Sequence, residues 1–167
     1  MITGLLAVLI CWKWGDWKNW EKYYPTILYF ILIDLVTNFL TAHHPLWEYE
    51  GNLLMINHTF SNLFIAFAVY PAIVMIYIPY YPKKLVNQIL YILLWTSICT
   101  FLEYISFRLG YFSHHNGWHF GWTIGFDITM FAMLRLHYQR PLLTWPLSAI
   151  LMTVTLWYLG LPLNSMK

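Results

Sequence analysis

Histidines and carboxylates are the residues of this 167-residue chain whose types and spacing are suited to chemistry. His114, His115 and His119 lie close together in the sequence, between Glu103 and Asp127. A histidine paired with a buried carboxylate can transfer protons near neutral pH. We therefore predict His119, Glu103 and Asp127 as catalytic acid–base residues.

The same histidines suggest a second chemistry, metal binding. Neutral imidazole and carboxylate are ordinary ligands of a divalent metal such as zinc, and three protein ligands plus a water form a hydrolytic centre. His114, His115 and His119 are the candidate ligands. Neither His-Glu-x-x-His nor Cys-x-x-Cys occurs in the sequence, so no standard ligand spacing supports the site and the cofactor stays open.

Further polar residues repeat at helical spacing. Asp34 and Asn38 are four residues apart, as are His58 and Asn62, so each pair shares one face of a helix. We predict these four residues as substrate-binding. Similar stripes occur on two later segments: Thr96, Thr100 and Glu103, and His119, Thr123 and Asp127.

The composition indicates whether these residues belong to a soluble domain or to a membrane protein. Hydrophobic residues make up 60% of the chain and charged residues only 10%, whereas soluble domains carry about a quarter charged residues. A net charge of +2 gives no reason to expect nucleic acid as a partner. We predict an integral membrane protein whose partners are membrane lipids, and this composition is compatible with a homo-oligomer.

The spacing of apolar segments predicts an all-α bundle of six transmembrane helices in a single domain, residues 1–167. A spanning helix needs roughly 20 mainly apolar residues, and the first segment is shorter than this. Pro25 is expected in a first helical turn, and Pro71 is expected to interrupt the third helix. The six segments are Ile2–Trp14, Tyr24–Ala42, Thr59–Pro79, Leu85–Ile105, His119–Leu136 and Pro141–Leu161. Helices two to five are expected to enclose the polar stripes, with helices one and six packed outside.

Basic residues predict the orientation. The first, third and fifth connections contain Lys13, Lys18, Lys22, Lys83, Lys84, Arg135 and Arg140, against Arg108 and Lys167 in the even connections and the tail. Basic residues favour the cytoplasmic side. Both termini are therefore predicted outside, together with six of the seven histidines.

The two outer connections share a motif. His43-His44-Pro45-Leu46-Trp47 and His114-His115-Asn116-Gly117-Trp118 both follow the pattern His-His-x-x-Trp. Each follows a helix that carries a carboxylate, Asp34 or Glu103. A duplicated helical hairpin is one explanation, and chance in an aromatic-rich chain is the other.

Two functions from different classes remain open. One is an enzyme that acts on a lipid-like substrate at a His/carboxylate site near the outer leaflet. The alternative is a non-catalytic binding or partner protein, because buried Asp, Asn and Thr also hold helices together by hydrogen bonds. No Gly-x-Ser-x-Gly nucleophile motif occurs, and Ser113 is only a weak candidate.

Two segments carry a resemblance to a known family. These are residues 15–25, GDWKNWEKYYP, and residues 113–118, SHHNGW. Along most of its length the chain resembles a family of small multi-pass membrane proteins of Bacillus-like Gram-positive bacteria. The family is uncharacterised, so the resemblance implies a bacterial plasma-membrane location and supplies no catalytic residue.

Overall fold

The computed structural model describes residues 2–50 and 57–161 and is mostly helical. The six helices are α1 Ile2–Trp14, α2 Trp20–Leu40, α3 His58–Tyr77, α4 Leu85–Arg108, α5 Phe120–Gln139 and α6 Pro141–Tyr158. Lys167 and the middle of the second connection, which entered the charge argument, lie outside the described residues.

Four stretches are long and apolar enough to cross a membrane: Trp17–Leu40, His58–Tyr77, Leu85–Arg108 and Pro141–Tyr158. Helix α1 is shorter, as expected from its sequence. Helix α5 is not among the four, and it carries Asp127, Arg135 and His137. The prediction of an apolar helical chain is thus confirmed for four helices.

Neighbouring helices pack in the order α1, α3, α2 and α5, and α5 also contacts α4 and α6. Gly4 explains the close approach of α1, because a Cβ atom there would lie only 3.0 Å from the side chains of Phe64 and Val69. Helix α4 lies at the flank of the bundle, since only 6% of the residues in its most apolar stretch are buried. Helix α6, expected outside, instead contacts the interior through a 2.6 Å hydrogen bond between Ser148 and Tyr29.

Two prolines act differently from each other. Helix α2 begins at Trp20, so Pro25 lies inside the helix and not in its first turn. In α3, residues Ile65–Val69 form a π-helical segment in which the Tyr70 N–H donates to the Ile65 carbonyl. Pro71 has no N–H to donate and crowds the preceding turn, and the wider turn accommodates it.

Two short strands, which the sequence analysis did not predict, join the second and fourth connections. Strand β1, Trp47–Tyr49, pairs antiparallel with β2, Phe112–His114, with Trp47 opposite His114 and Tyr49 opposite Phe112. We call this end of the bundle the sheet end. At the opposite end, the Asp16 N–H donates to the Met75 carbonyl over 3.3 Å and links the first connection to the end of α3.

The sheet also shows that the two His-His-x-x-Trp motifs occupy different positions. In the first motif the tryptophan, Trp47, begins the strand, whereas in the second motif the first histidine, His114, ends it. Trp118 lies beyond a turn in which Asn116 and Gly117 have φ values of 50° and 83°. The motifs therefore are not structurally equivalent.

Candidate functional site

A hydrogen-bonded network around Glu103 ties α4, α5 and β2 together at the sheet end. Glu103 Oε1 accepts hydrogen bonds from His114 Nε2 at 2.8 Å and from Thr123 Oγ1 at 2.7 Å. Trp118 Nε1 in turn donates to Thr123 Oγ1 over 3.1 Å. We call these four residues the Glu103 network. Glu103 Oε1 thus joins α4 to both β2 and α5, which is the arrangement expected of a structural tie.

The end of α4 places β2 within reach of Glu103. Gly110 has a φ of 73°, a left-handed conformation that ends the helix. The Tyr111 N–H then donates to the Ser106 carbonyl over 2.9 Å, and the chain turns back along the bundle. His114 is enclosed by Phe107, Phe112 and Phe120, with ring centroids 4.8–5.4 Å away.

A second carboxylate, Asp34, lies deeper in the bundle. Tyr70 Oη donates to Asp34 Oδ1 over 2.8 Å, and Asn38 Nδ2 donates to the Asp34 backbone carbonyl over 2.9 Å. Tyr70 directly follows the π-helical segment of α3, so this irregular turn sets its direction. Among the described residues, Asp34 Oδ2 is buried without a hydrogen-bond partner, as is Asn62 Oδ1.

The third carboxylate, Asp127, accepts one hydrogen bond, from Thr100 Oγ1 at 3.3 Å. All three carboxylates act on Tyr49, which lies in β1. Burial, and after it the charges of Asp34, Glu103 and Asp127, raises the pKa of the Tyr49 hydroxyl. The polar stripes of α4 and α5 are joined directly, by the hydrogen bonds of Thr100 to Asp127 and of Thr123 to Glu103.

A cavity of about 340 Å³ lies between α2, α5 and α6. Its wall is largely apolar and aromatic, and Trp47 and Trp118 lie at its sheet end. Asp34 is the one carboxylate on the wall, and no Lys or Arg lines it within the described ranges. A cavity of this size and character is typical of sites for small, mainly apolar molecules.

The remaining predicted histidines are placed elsewhere. His119 caps α5, where its Nδ1 accepts from the Gly121 N–H over 3.1 Å, and its side chain is exposed. His58 Nδ1 accepts from the Tyr49 N–H over 3.1 Å, and the two rings stack. His119 was expected to pair with Glu103 or Asp127. Among the described hydrogen bonds it pairs with neither, and the histidine bonded to Glu103 is His114, from strand β2.

Ser113 and His115 form a surface pair that resembles a nucleophile and its base only in part. Ser113 Oγ lies 2.9 Å from His115 Nε2, and Glu48 Oε2 lies 3.6 Å from the same nitrogen. In a serine triad the acid contacts the other ring nitrogen and holds the tautomer that accepts the serine proton. The arrangement lacks this feature.

Metal ligation has little geometric support in residues 2–50 and 57–161, where no three His, Cys, Asp or Glu side chains are grouped to hold an ion. His114 Nε2 is bonded to Glu103, and His115 Nε2 lies against Ser113. The structure does not bring His114, His115 and His119 together on one centre.

Two residues of the site were not singled out by sequence reasoning. Tyr70 and the cavity-lining Trp122 are aromatic residues in a chain that is 20% aromatic, so their types give no signal. Trp118 was named only as part of the His-His-x-x-Trp motif. Thr123 was placed correctly on the face of Asp127, by helical spacing.

Comparison with protein-family models, curated proteins and solved structures gives no match. The site is therefore interpreted from its own geometry.

Proposed function

We propose that this chain is a multi-pass membrane protein that holds a lipid-like, largely apolar molecule in the cavity between α2, α5 and α6. The observation that carries this proposal is the cavity itself, about 340 Å³ in volume with a mostly apolar wall. Binding without catalysis is favoured because neither Glu103 nor His114 lines the cavity, so the pair suited to acid–base chemistry does not contact the space where the molecule would lie.

Gly125 offers a direct test of this function. It lines the cavity, and a Cβ atom added there would meet nothing within 4 Å. Gly125→Leu should fill the cavity and stabilise α5, because Gly costs about 1 kcal/mol relative to good helix formers. We expect this variant to lose binding of a neutral apolar probe, 2-naphthylmethanol, while its unfolding temperature rises.

Ala132→Leu is the matched control, since Ala132 is exposed on the same helix. It should bind the probe as the wild type does. Unchanged binding by Gly125→Leu would show that the probe does not occupy this cavity and would refute the proposal.

For the topology, we propose that all six helices cross the plasma membrane of a Gram-positive bacterium, with both termini and the sheet end outside. The charge asymmetry supports this, because Arg108 is the only described Lys or Arg at the sheet end. In a background with Cys11 and Cys99 replaced, Ser113→Cys should react with an impermeant thiol reagent on intact cells, and Lys84→Cys should not. The reverse labelling pattern would invert the orientation.

Catalysis on a lipid-like substrate is the second candidate function, and the 2.8 Å contact between His114 and Glu103 favours it. In proteoliposomes, hydrolysis of a fluorogenic lipid ester by the wild type, lost in His114→Gln but kept in the control His43→Gln, would support it. Equal rates in the two variants and in empty vesicles would exclude this reaction. Metal analysis of the purified protein tests whether this catalysis depends on zinc, which requires about one bound ion per chain.

A further inference from the structure

We propose that the molecule held in the cavity is a lipophilic ammonium compound, recognised by the Asp34 carboxylate together with the aromatic rings around it. This inference rests on the proposed function, because it names the chemistry of the ligand for the same cavity. Three independent observations lead to it: an incompletely paired carboxylate, an aromatic wall and an excess of negative charge.

The carboxylate of Asp34 has spare hydrogen-bonding capacity. Asp34 is only 9% exposed and lines the cavity; its Oδ1 accepts from the Tyr70 hydroxyl, and the side chains of Asn38 and Asn62 lie next to the carboxylate. Oδ2 is buried and has no partner among the described residues. A buried acceptor without a donor is costly, and the cost is larger for a charged group. Oδ2 has almost no accessible surface, so a donor carried by the ligand offsets this cost after the Asp34 side chain turns toward the cavity.

The aromatic residues of the wall provide the second part of an ammonium site. Phe30 and Tyr70 stack with their centroids 3.9 Å apart, which places one aromatic pair beside Asp34. At the sheet end, Trp47 and Trp118 meet edge to face at 5.2 Å. The faces of aromatic rings attract cations, and ammonium groups are commonly recognised in this way.

Charge decides between an ammonium and a neutral or anionic head group. No Lys or Arg lines the cavity within the described ranges, and Asp34 supplies its one carboxylate. Glu103 and Asp127 are two further acidic residues on the neighbouring helices α4 and α5. Arg108, at the end of α4, is exposed and lies over Tyr104, outside the cavity. The electrostatic potential in the cavity therefore favours a cation.

A set of three probes with one shape tests this inference on the full chain in lipid nanodiscs. The probes are 2-naphthylmethylammonium, 2-naphthylmethanol and 2-naphthoate, and the measurement is the equilibrium Kd of each. A charge-assisted hydrogen bond should make the ammonium bind about tenfold more tightly than the alcohol. The carboxylate probe should bind most weakly.

Asp34→Asn should lower the ammonium-to-alcohol preference to about one while leaving alcohol binding intact, and retained alcohol binding also shows that the variant folds. Asp127→Asn is the matched control, because Asp127 is a buried carboxylate that does not line the cavity, and it should keep the preference. Should Asp34→Asn fail to fold, Tyr70→Phe decides. Loss of the Tyr70 donor should strengthen the preference, and an unchanged or weaker preference contradicts the inference.

The outcomes separate this inference from the function on which it rests. Equal binding of ammonium and alcohol by the wild type, or an undiminished preference in a folded Asp34→Asn variant, overturns the ammonium inference and leaves an apolar binding cavity. Failure of the wild type to bind any of the three probes overturns both.

Discussion

The carboxylates of Glu103 and Asp34 differ in how completely the protein satisfies them. Glu103 receives two short hydrogen bonds on Oε1, from residues of β2 and α5, and so ties both elements to α4. Asp34 receives one side-chain hydrogen bond, from Tyr70, and faces a cavity with its second oxygen unpaired. The difference indicates that a paired carboxylate holds elements together, whereas an unpaired one is available to a ligand.

The largest expected effect is on stability at Glu103. Glu103→Ala removes the acceptor shared by His114 and Thr123 and leaves both donors in a largely enclosed position. We expect the free energy of unfolding to fall by about 2–4 kcal/mol, measured by denaturant titration in detergent micelles.

Glu48→Ala is the control for Glu103, because its side chain is 45% exposed and lies 3.6 Å from His115. Its effect should stay within about 0.5 kcal/mol, as for most surface substitutions. If the free energy of unfolding falls equally in Glu103→Ala and Glu48→Ala, the Glu103 network has no special structural role.

Thr123→Val should give the next largest effect. The hydroxyl of Thr123 both donates to Glu103 and accepts from Trp118, and the residue is only 2% exposed. Valine keeps the shape but breaks both hydrogen bonds, so we expect a loss of about 1–3 kcal/mol in the same titration.

Thr129→Val is the matched control on α5, because the exposed Thr129 hydroxyl bonds only to the Gly125 carbonyl of its own helix. A loss at Thr123 no larger than that at Thr129 would show that α4 and α5 are held by apolar packing alone.

Asp34→Asn should change stability least among the three buried sites. The amide can still accept from Tyr70, and the substitution removes an unpaired buried charge. We expect the free energy of unfolding to stay within about 1 kcal/mol of the wild type and to change by an increase. A loss as large as that of Glu103→Ala would end the contrast between the two carboxylates.

The smallest expected effect concerns Asp16, a half-buried carboxylate at the end opposite the sheet. Hydrogen bonds from Tyr23 and then Asn19 hold the pKa of Asp16 below its ordinary value. The stability that they contribute is present above the ordinary pKa of about 3.9 and is lost as the pH falls through the lowered value. The advantage of the wild type over Asp16→Asn in unfolding temperature should therefore shrink between pH 6 and pH 3.

Glu21→Gln is the comparison for Asp16, since Glu21 is a nearby exposed acid on the same segment. It should show a weaker pH trend. If the difference in unfolding temperature between the wild type and Asp16→Asn grew as the pH fell, the hydrogen bonds to the Asp16 carboxylate would not be its cause.

Helices were predictable because their length and apolarity are set by local sequence, and the alternation of Lys and Arg marked the two ends. The boundaries shifted where local rules competed, as at Pro25, which a helix that begins at Trp20 contains internally. The strands β1 and β2 have three residues each, too few for an alternating pattern to be recognised.

The site was predictable only where helical spacing controlled it. Spacing placed Thr123 and Asp127 on one buried face of α5. It favoured His119 over His114 as the partner of Glu103, because His119 continues that helical stripe. The actual pairing depends on strand β2, whose position is fixed by contacts distant in sequence. The contact between Tyr70 and Asp34 depends likewise on the π-helical segment, which no local pattern revealed.

The pairing of β1 with β2 also constrains the order in which the chain can assemble. Synthesis runs from the N-terminus, so β1 is complete before α3 and α4 exist, and its partner strand follows only after both helices. Until then the unpaired N–H and C=O groups of β1 remain in contact with water or with other chains. Pairing of the two strands is thus a late event, and the cavity forms later still, because α5 and α6 follow β2 and supply much of its wall.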